Sequence, residues 1–319
     1  MSQAAVTPYA DEWLEMEAKL GGRSVLSGTV DEQRAQFNAL GAALAPLFPP
    51  LPDSLDVEDV TASDIPRLRV YSPKEGKGDL HFGVYFHCGG FVMGGIEADD
   101  YICRAIAMST PCVIVSVEYR LAPEHKYPAA HDDAKTAYKW ACENISKYGA
   151  SPSRGFVLGQ SAGATLAIST ALSSSQQPHY RVNGVVALGP VTCAPSAVPS
   201  HLAEQFKREE NADSAIIDNA ALDVYLAAYD PPQDDPAYSV LLSPDLASLP
   251  PTYLVATGKD PLRDDVLVFE KAARDAGVRT HLDFYEGFPH LFWIVPGLKK
   301  GEVAVGNIVK GVQWVIANF

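Results

Sequence analysis

The chain has 319 residues, 47% of them hydrophobic and 20% charged, which is the make-up of a globular protein with room for one large α/β domain or two ordinary ones. A net charge of −14 repels phosphate backbones, so nucleic acid is not expected as a partner, and the charge is read as serving solubility. The five cysteines (Cys88, Cys103, Cys112, Cys142 and Cys193) form no CxxC pair, which argues against both a zinc site and a disulfide framework.

The chain opens without a basic patch followed by an apolar run, and no apolar stretch reaches the ~18 residues of a membrane span. A cytoplasmic, reducing setting is therefore expected, with the protein a monomer or a homodimer. Residues 10 to 47 read as helical. Trp13, Met16 and Leu20 share one helix face, and Asp31 is placed to cap a second helix. The stretch PPLPDS, 49 to 54, then breaks the chain.

From about residue 66, short β-rich runs alternate with helical ones. RLRVYS, FGVYFH, CVIVSV, GFVLG, GVVALG, TYLVAT and THLDFY read as strands, several continuously apolar as in a parallel sheet covered on both faces. Between and after them, ADDYICRAIAMS, AAHDDAKTAYKWACENIS, AGATLAISTALSS, RDDVLVFEKAARDAG and VGNIVKGVQWVIANF read as helices. The alternation implies a doubly wound α/β sheet. Residues 193 to 245 break it, with one helical candidate, SAIIDNAALDVYLAAY, among prolines and acidic residues. An insertion of that length after a sheet strand suggests a lid.

Four stretches carry chemistry. GQSAG, 159 to 163, lies between a strand and a helix, the context of a nucleophile elbow, with Ser161 at a helix N-terminus that favours developing negative charge. HCGGFVMGG, 87 to 95, follows a strand and could turn the Gly89 and Gly90 amides, with that of Ala162, toward an oxyanion. It lacks GxGxxG spacing and is not a dinucleotide fingerprint. In TYLVATGKDPLRDD, Asp260 stands just past a strand, while Asp264 and Asp265 read as helix-capping and dipole-compensating residues. In FYEGFPHLFW, His290 follows another strand. The order Ser161, Asp260, His290 is that of α/β-hydrolases. His281 reads as a strand residue, His125 and His131 as structural or solvent-facing, and His87 as a buttress of the glycine loop.

With VEYRLAPEHKYPAAHDDA, 117 to 134, these stretches resemble the hormone-sensitive-lipase-like family of α/β-hydrolases, whose members are mostly carboxylesterases. The likeness covers roughly residues 66 to 319. It implies an α/β-hydrolase fold: a mostly parallel central sheet flanked by helices, with a helical cap from residues 1–50 and 193–245 over a core of 51–192 and 246–319. It also implies a nucleophile at Ser161, an acid at Asp260, a base at His290 and oxyanion donors at Gly89, Gly90 and Ala162. The substrate would be a small-molecule ester, with no metal or organic cofactor. In YRLAPEHKYPAAHDD, Asp132 and Asp133 read as helix-surface or capping residues.

Three departures stand out. Cys88 replaces a glycine of HGGG, and is read as packing behind the loop. Gln160 replaces the family's aspartate, removing a charge beside the nucleophile. Phe288, Leu291, Phe292 and Trp293 make the base loop bulky and apolar, as pocket wall or as core. Trp13, Phe37, Phe206, Tyr225 and Tyr229 suggest a pocket for an apolar group, or helix packing. Two rivals share the fold: a ligand-binding receptor, as in plant gibberellin receptors that have lost the histidine, and a non-hydrolytic cyclase or lyase. Thioester, lactone and amide substrates also stay open.

Overall fold

From residue 80 onward strand and helix alternate except across residues 193–245, and the computed structural model, which describes residues 8–75, 78–175 and 177–319, shows what the alternation builds. Eight strands are present: β1 (Leu55–Val60), β2 (Arg67–Pro73), β3 (Leu80–Phe86), β4 (Cys112–Glu118), β5 (Ala150–Gln160), β6 (Val185–Leu188), β7 (Thr252–Lys259) and β8 (Thr280–Pro289). They form one sheet in the order β1-β2-β4-β3-β5-β6-β7-β8. Strands β4 to β8 pair in parallel, whereas β1–β2 and β2–β4 are antiparallel. The sheet is thus mostly parallel with an antiparallel edge. Strand β1 has no counterpart in the sequence reading, because its LDVEDV is acidic and faces solvent on one side.

The helices are α1 (Asp11–Lys19), α2 (Val30–Leu44), α3 (Asp100–Ser109), α4 (Ala129–Asn144), α5 (Ala162–Ser174), α6 (Asn219–Tyr229), α7 (Arg263–Asp275) and α8 (Lys299–Ala317). Side chains alternate across the central strands. Phe82, Val84 and Phe86 of β3 enter the core under α4, α5 and α7, while Tyr85 enters the opposite core with α3 and α8. Each fully buried side chain of this kind contributes roughly 1.5–3 kcal/mol over an exposed one. Among the described residues, no helix is long and apolar enough to cross a membrane.

Three helix boundaries differ from expectation. Thr29, not Asp31, caps α2, through a reciprocal capping box with Glu32. Helix α6 starts at Asn219, capped by the Asp218 carboxylate on the Ala221 amide at 2.7 Å. The preceding residues instead run alongside the N-terminal segment: Val25 and Ile216 form a parallel bridge, with Ile216 N–H donating to the Ser24 carbonyl at 2.9 Å. Helix α8 begins six residues earlier than its apolar pattern suggests. On α1, Trp13 is buried but Leu20 is 55% exposed, because the helix ends at Lys19. Segments distant in sequence meet again where the Tyr225 hydroxyl of α6 donates to Gln33 Oε1 of α2 at 2.7 Å.

Candidate active site

Strand β5 ends at Gln160, and the chain turns sharply at Ser161 into α5. Ser161 adopts φ +54° and ψ −122°, a left-handed conformation that costs a non-glycine residue of order 1–3 kcal/mol. The turn holds because the Ser161 amide donates to the Leu188 carbonyl of β6 at 2.8 Å, and its own carbonyl accepts from Ala164. The flanking glycines are required by contact. A Cβ on Gly163 would fall 2.1 Å from the Phe86 carbonyl oxygen, and one on Gly159 would fall 2.3 Å from the Gly163 oxygen.

The loop after β3 is shaped by glycines and braced from behind. Gly89 has φ +127°, and a Cβ there would lie 2.1 Å from the Met93 carbonyl oxygen; one on Gly90 would meet the Tyr225 ring at 2.4 Å. Among the described residues, the amides of Gly89, Gly90 and Ala162 donate to no acceptor. Buried Asp99 accepts from the Cys88 amide and the Tyr85 hydroxyl, each at 2.9 Å. His87 stacks on Tyr119 with ring centroids 4.0 Å apart, and the Tyr119 hydroxyl donates to the His87 carbonyl. Arg34 of α2 reaches in to donate to the carbonyls of Val92 and Ala122, both at 2.7 Å. Cys88 packs behind the loop with Sγ 3.6 Å from Asp99; burial, then the neighbouring carboxylate, pushes its thiol well above the usual range. A buried protonated thiol is a poor nucleophile.

Asp260 and His290 are joined. The Asp260 Oδ2 lies 2.7 Å from His290 Nδ1, and both residues are buried. The carboxylate is held by the Thr257 hydroxyl at 3.0 Å and the Leu262 amide at 2.8 Å. Asn211 donates to the backbone carbonyls of Gly258 and Asp260, fixing the turn itself. The Nε2 of His290 is buried and makes no hydrogen bond among the described residues, Ser161 included. Serine and histidine meet through the end of β6. Leu188 accepts from Ser161, and at the next residue, Gly189, a Cβ would stand 3.2 Å from His290 Cε1.

A family model described as an alpha/beta hydrolase fold matches residues 83–294. The versiconal hemiacetal acetate esterase of Aspergillus parasiticus is 39% identical over 97% of this chain and 99% of its own. The chain belongs to the hormone-sensitive-lipase-like family of α/β-hydrolases. Two solved structures are similar to this hydrolase throughout. Vibralactone cyclase superposes with a TM-score of 0.90 at 27% identity, covering 99% of this chain and 97% of that one. An esterase from Pyrobaculum calidifontis gives 0.82 at 31%, covering 98% and 100%.

Several residues of the hydrolase behave differently from their sequence reading. Asp264 and Asp265 sit in the first turn of α7, as dipole-compensating residues do, but their carboxylates also hold distant segments. Asp264 accepts from the Lys207 amide at 2.7 Å, and Asp265 from the amides of Thr192 at 2.8 Å and Cys193 at 3.2 Å. Burial raises Asp265 to about 7, against the lowering effect of those amides. Asp133 is neither a cap nor a surface residue: buried, it binds the Arg120 guanidinium and amide, tying YRLAPE to the start of α4. As expected of structural or solvent-facing histidines, His131 is buried between the Tyr229 hydroxyl and the Ala237 carbonyl, where burial lowers it to about 4, and His125 is exposed.

Two cavities flank the elbow. One of about 310 Å³ contains Ser161 and Gly90, walled by Val191, Phe206, Tyr225 and Tyr238. The other, of about 470 Å³, lies beneath α2, with Phe37 at its side and Cys88, Gln160 and Trp293 on its wall. Phe206 and Tyr225 thus face one cavity and Phe37 the other, whereas Trp13 and Tyr229 are core. Phe288, Leu291 and Phe292 are likewise core, while Trp293 is buried and also faces the larger cavity. Among the described residues, no group of three or more His, Cys, Asp or Glu is placed to hold a metal. Asp99, Asn211 and Arg34 had no signal in the sequence, since each acts on a segment far away or through a backbone atom.

Proposed function

We propose that this hydrolase cleaves small to medium carboxylic esters through an acyl-enzyme, with Ser161 as nucleophile, His290 as general base and Asp260 as its orienting acid. The observation that carries the reading is the strained Ser161 at the floor of a cavity, beside a buried Asp260–His290 pair whose second imidazole nitrogen is unpartnered. In the forward step, Ser161 Oγ bonds to the carbonyl carbon as its proton passes to His290 Nε2. Asp260 holds Nδ1 protonated and stabilises the imidazolium. The unengaged amides of Gly89, Gly90 and Ala162 supply the donors for the oxyanion. The tetrahedral species then expels the alkoxide, which takes the proton from His290, and water repeats the sequence to free the acid.

The 310 Å³ cavity and its apolar walls favour short or medium acyl groups. The Aspergillus parasiticus relative is named for an acetate ester, which favours a short acyl group; a biosynthetic or detoxification setting is part of the proposal. Residues 1–50 and 193–245 are proposed as the cap, supported by the Val25–Ile216 bridge and the Tyr225–Gln33 hydrogen bond, with residues 1–7 outside the described residues. A cytoplasmic monomer or homodimer is proposed; five unpaired, buried cysteines suit a reducing compartment.

A cyclase reading also has support, from the similarity to vibralactone cyclase over nearly the whole chain. Hydrolysis of p-nitrophenyl acetate, butyrate and octanoate, by native protein and by Ser161→Ala, separates the two. Turnover that falls with chain length and disappears in Ser161→Ala is the expected result. No turnover by folded native protein would favour the non-hydrolytic reading.

A further inference from the structure

His290 is fixed at one nitrogen by Asp260, but its distance from the nucleophile depends on how the loop after β8 is held against the elbow. That loop turns through Leu291, itself at φ +47°, into a short helical turn, Phe292–Ile294. Its side-chain link to the elbow is the Trp293 indole N–H, which donates to Gln160 Oε1 at 2.6 Å, and both residues are buried. Gln160 is bonded directly to Ser161, and Trp293 lies three residues past His290. The bond therefore closes a short ring that runs from nucleophile to base. Elsewhere Trp293 packs and lines the larger cavity: its ring meets that of Phe292 at 5.3 Å, and its Cα lies against Gly301 at the start of α8.

We propose that Gln160 and Trp293 are a positioning pair that sets His290 relative to Ser161. The residue type at 160 follows from the reach required. Glutamine carries its acceptor one methylene farther out than aspartate would, and it does so without placing a buried negative charge beside the nucleophile. Neither residue touches the reacting atoms. Their effect is on the chemical step, because a displaced base lowers the rate while the cavity that holds Ser161, which neither residue lines, is left intact.

The test measures kcat and KM on p-nitrophenyl butyrate for Gln160→Met, Trp293→Phe and the double variant. Each single change is expected to lower kcat by ~10–10²-fold with KM within about twofold. The double variant should be no slower than the slower single, since both remove the same bond. A kcat within twofold of native, a KM rising in step with the loss, or single losses that multiply in the double variant would each overturn the pair. Should Trp293→Phe fail to fold, Gln160→Met decides, because it keeps the ring in place and nearly the side-chain volume. The proposal rests on the hydrolysis reading, and the two fail differently. Turnover surviving in Ser161→Ala overturns hydrolysis at this site and the pair with it, whereas full activity in Gln160→Met overturns the pair alone.

Discussion

The loops after β3 and β8 face the same serine and are built on opposite plans. The first is made of absence: glycines whose missing side chains let backbone oxygens approach to distances no Cβ would permit, braced from outside by Asp99, His87 and Arg34. The second is made of bulk: Leu291, Phe292 and Trp293 are all buried, with Phe288 at the end of β8, so the loop is anchored by filling the core beneath it. A loop shaped by missing atoms is intolerant of addition. One shaped by packing is intolerant of truncation.

Four changes test that contrast. Phe292→Ala should cost about 3–5 kcal/mol of stability by leaving a void in a fully buried site, read from urea unfolding midpoints. A loss under 1 kcal/mol would mean that packing does not anchor the base loop. Gly89→Ala should lower kcat by ~10²–10³-fold while leaving a cooperative melt, because the added methyl displaces a proposed oxyanion amide rather than emptying the core. Ester turnover within threefold of native would show the glycine to be dispensable.

Asp265 offers a gentler test, since it pins the chain at Thr192 and Cys193 that walls the smaller cavity. Its carboxyl is raised from an ordinary 3.8 to about 7, so the folded state holds a proton that the unfolded chain releases. That contribution is complete below pH 4 and is lost as pH rises through 7, amounting to roughly 2 kcal/mol between pH 5 and 7. Asp265→Asn should flatten this part of the stability profile in melts run across that range. An unchanged slope would assign it to other groups. The smallest effect belongs to Thr29→Ala, about 1 kcal/mol from loss of the α2 capping box, detectable as a lower melting temperature with kcat unchanged. A drop in kcat would show that α2, through Arg34, controls the glycine loop more tightly than its hydrogen bonds suggest.

Much of the fold could be read from the sequence because the central strands are continuous apolar runs and the helices between them have clear faces. Strand β1 escaped because its pattern is acidic and half exposed. In the site, the residues that sit in local motifs were legible: Ser161 in its strand-to-helix turn, Gly89 and Gly90 in sequence, Asp260 and His290 at strand ends. The residues that hold those motifs were not. Asp99 serves Cys88 eleven positions away, Asn211 serves a turn across 49, and Trp293 serves Gln160 across 133. Such pairings are fixed by the sheet order, which brings the ends of β5, β6, β7 and β8 side by side. The same reason explains Asp265, which looked like a helix cap until the chain after β6 arrived beside it.

The bridge between Val25 and Ile216 has a consequence in time. A ribosome adds about 5–20 residues per second, so the N-terminal segment waits roughly 10–40 seconds for its partner strand to emerge. Through that interval Leu26 and Gln33 lack the hydrogen-bond partners that Ile216 and Tyr225 supply. The proposed cap can close only after residue 216 has been made, although its N-terminal part is among the first segments made.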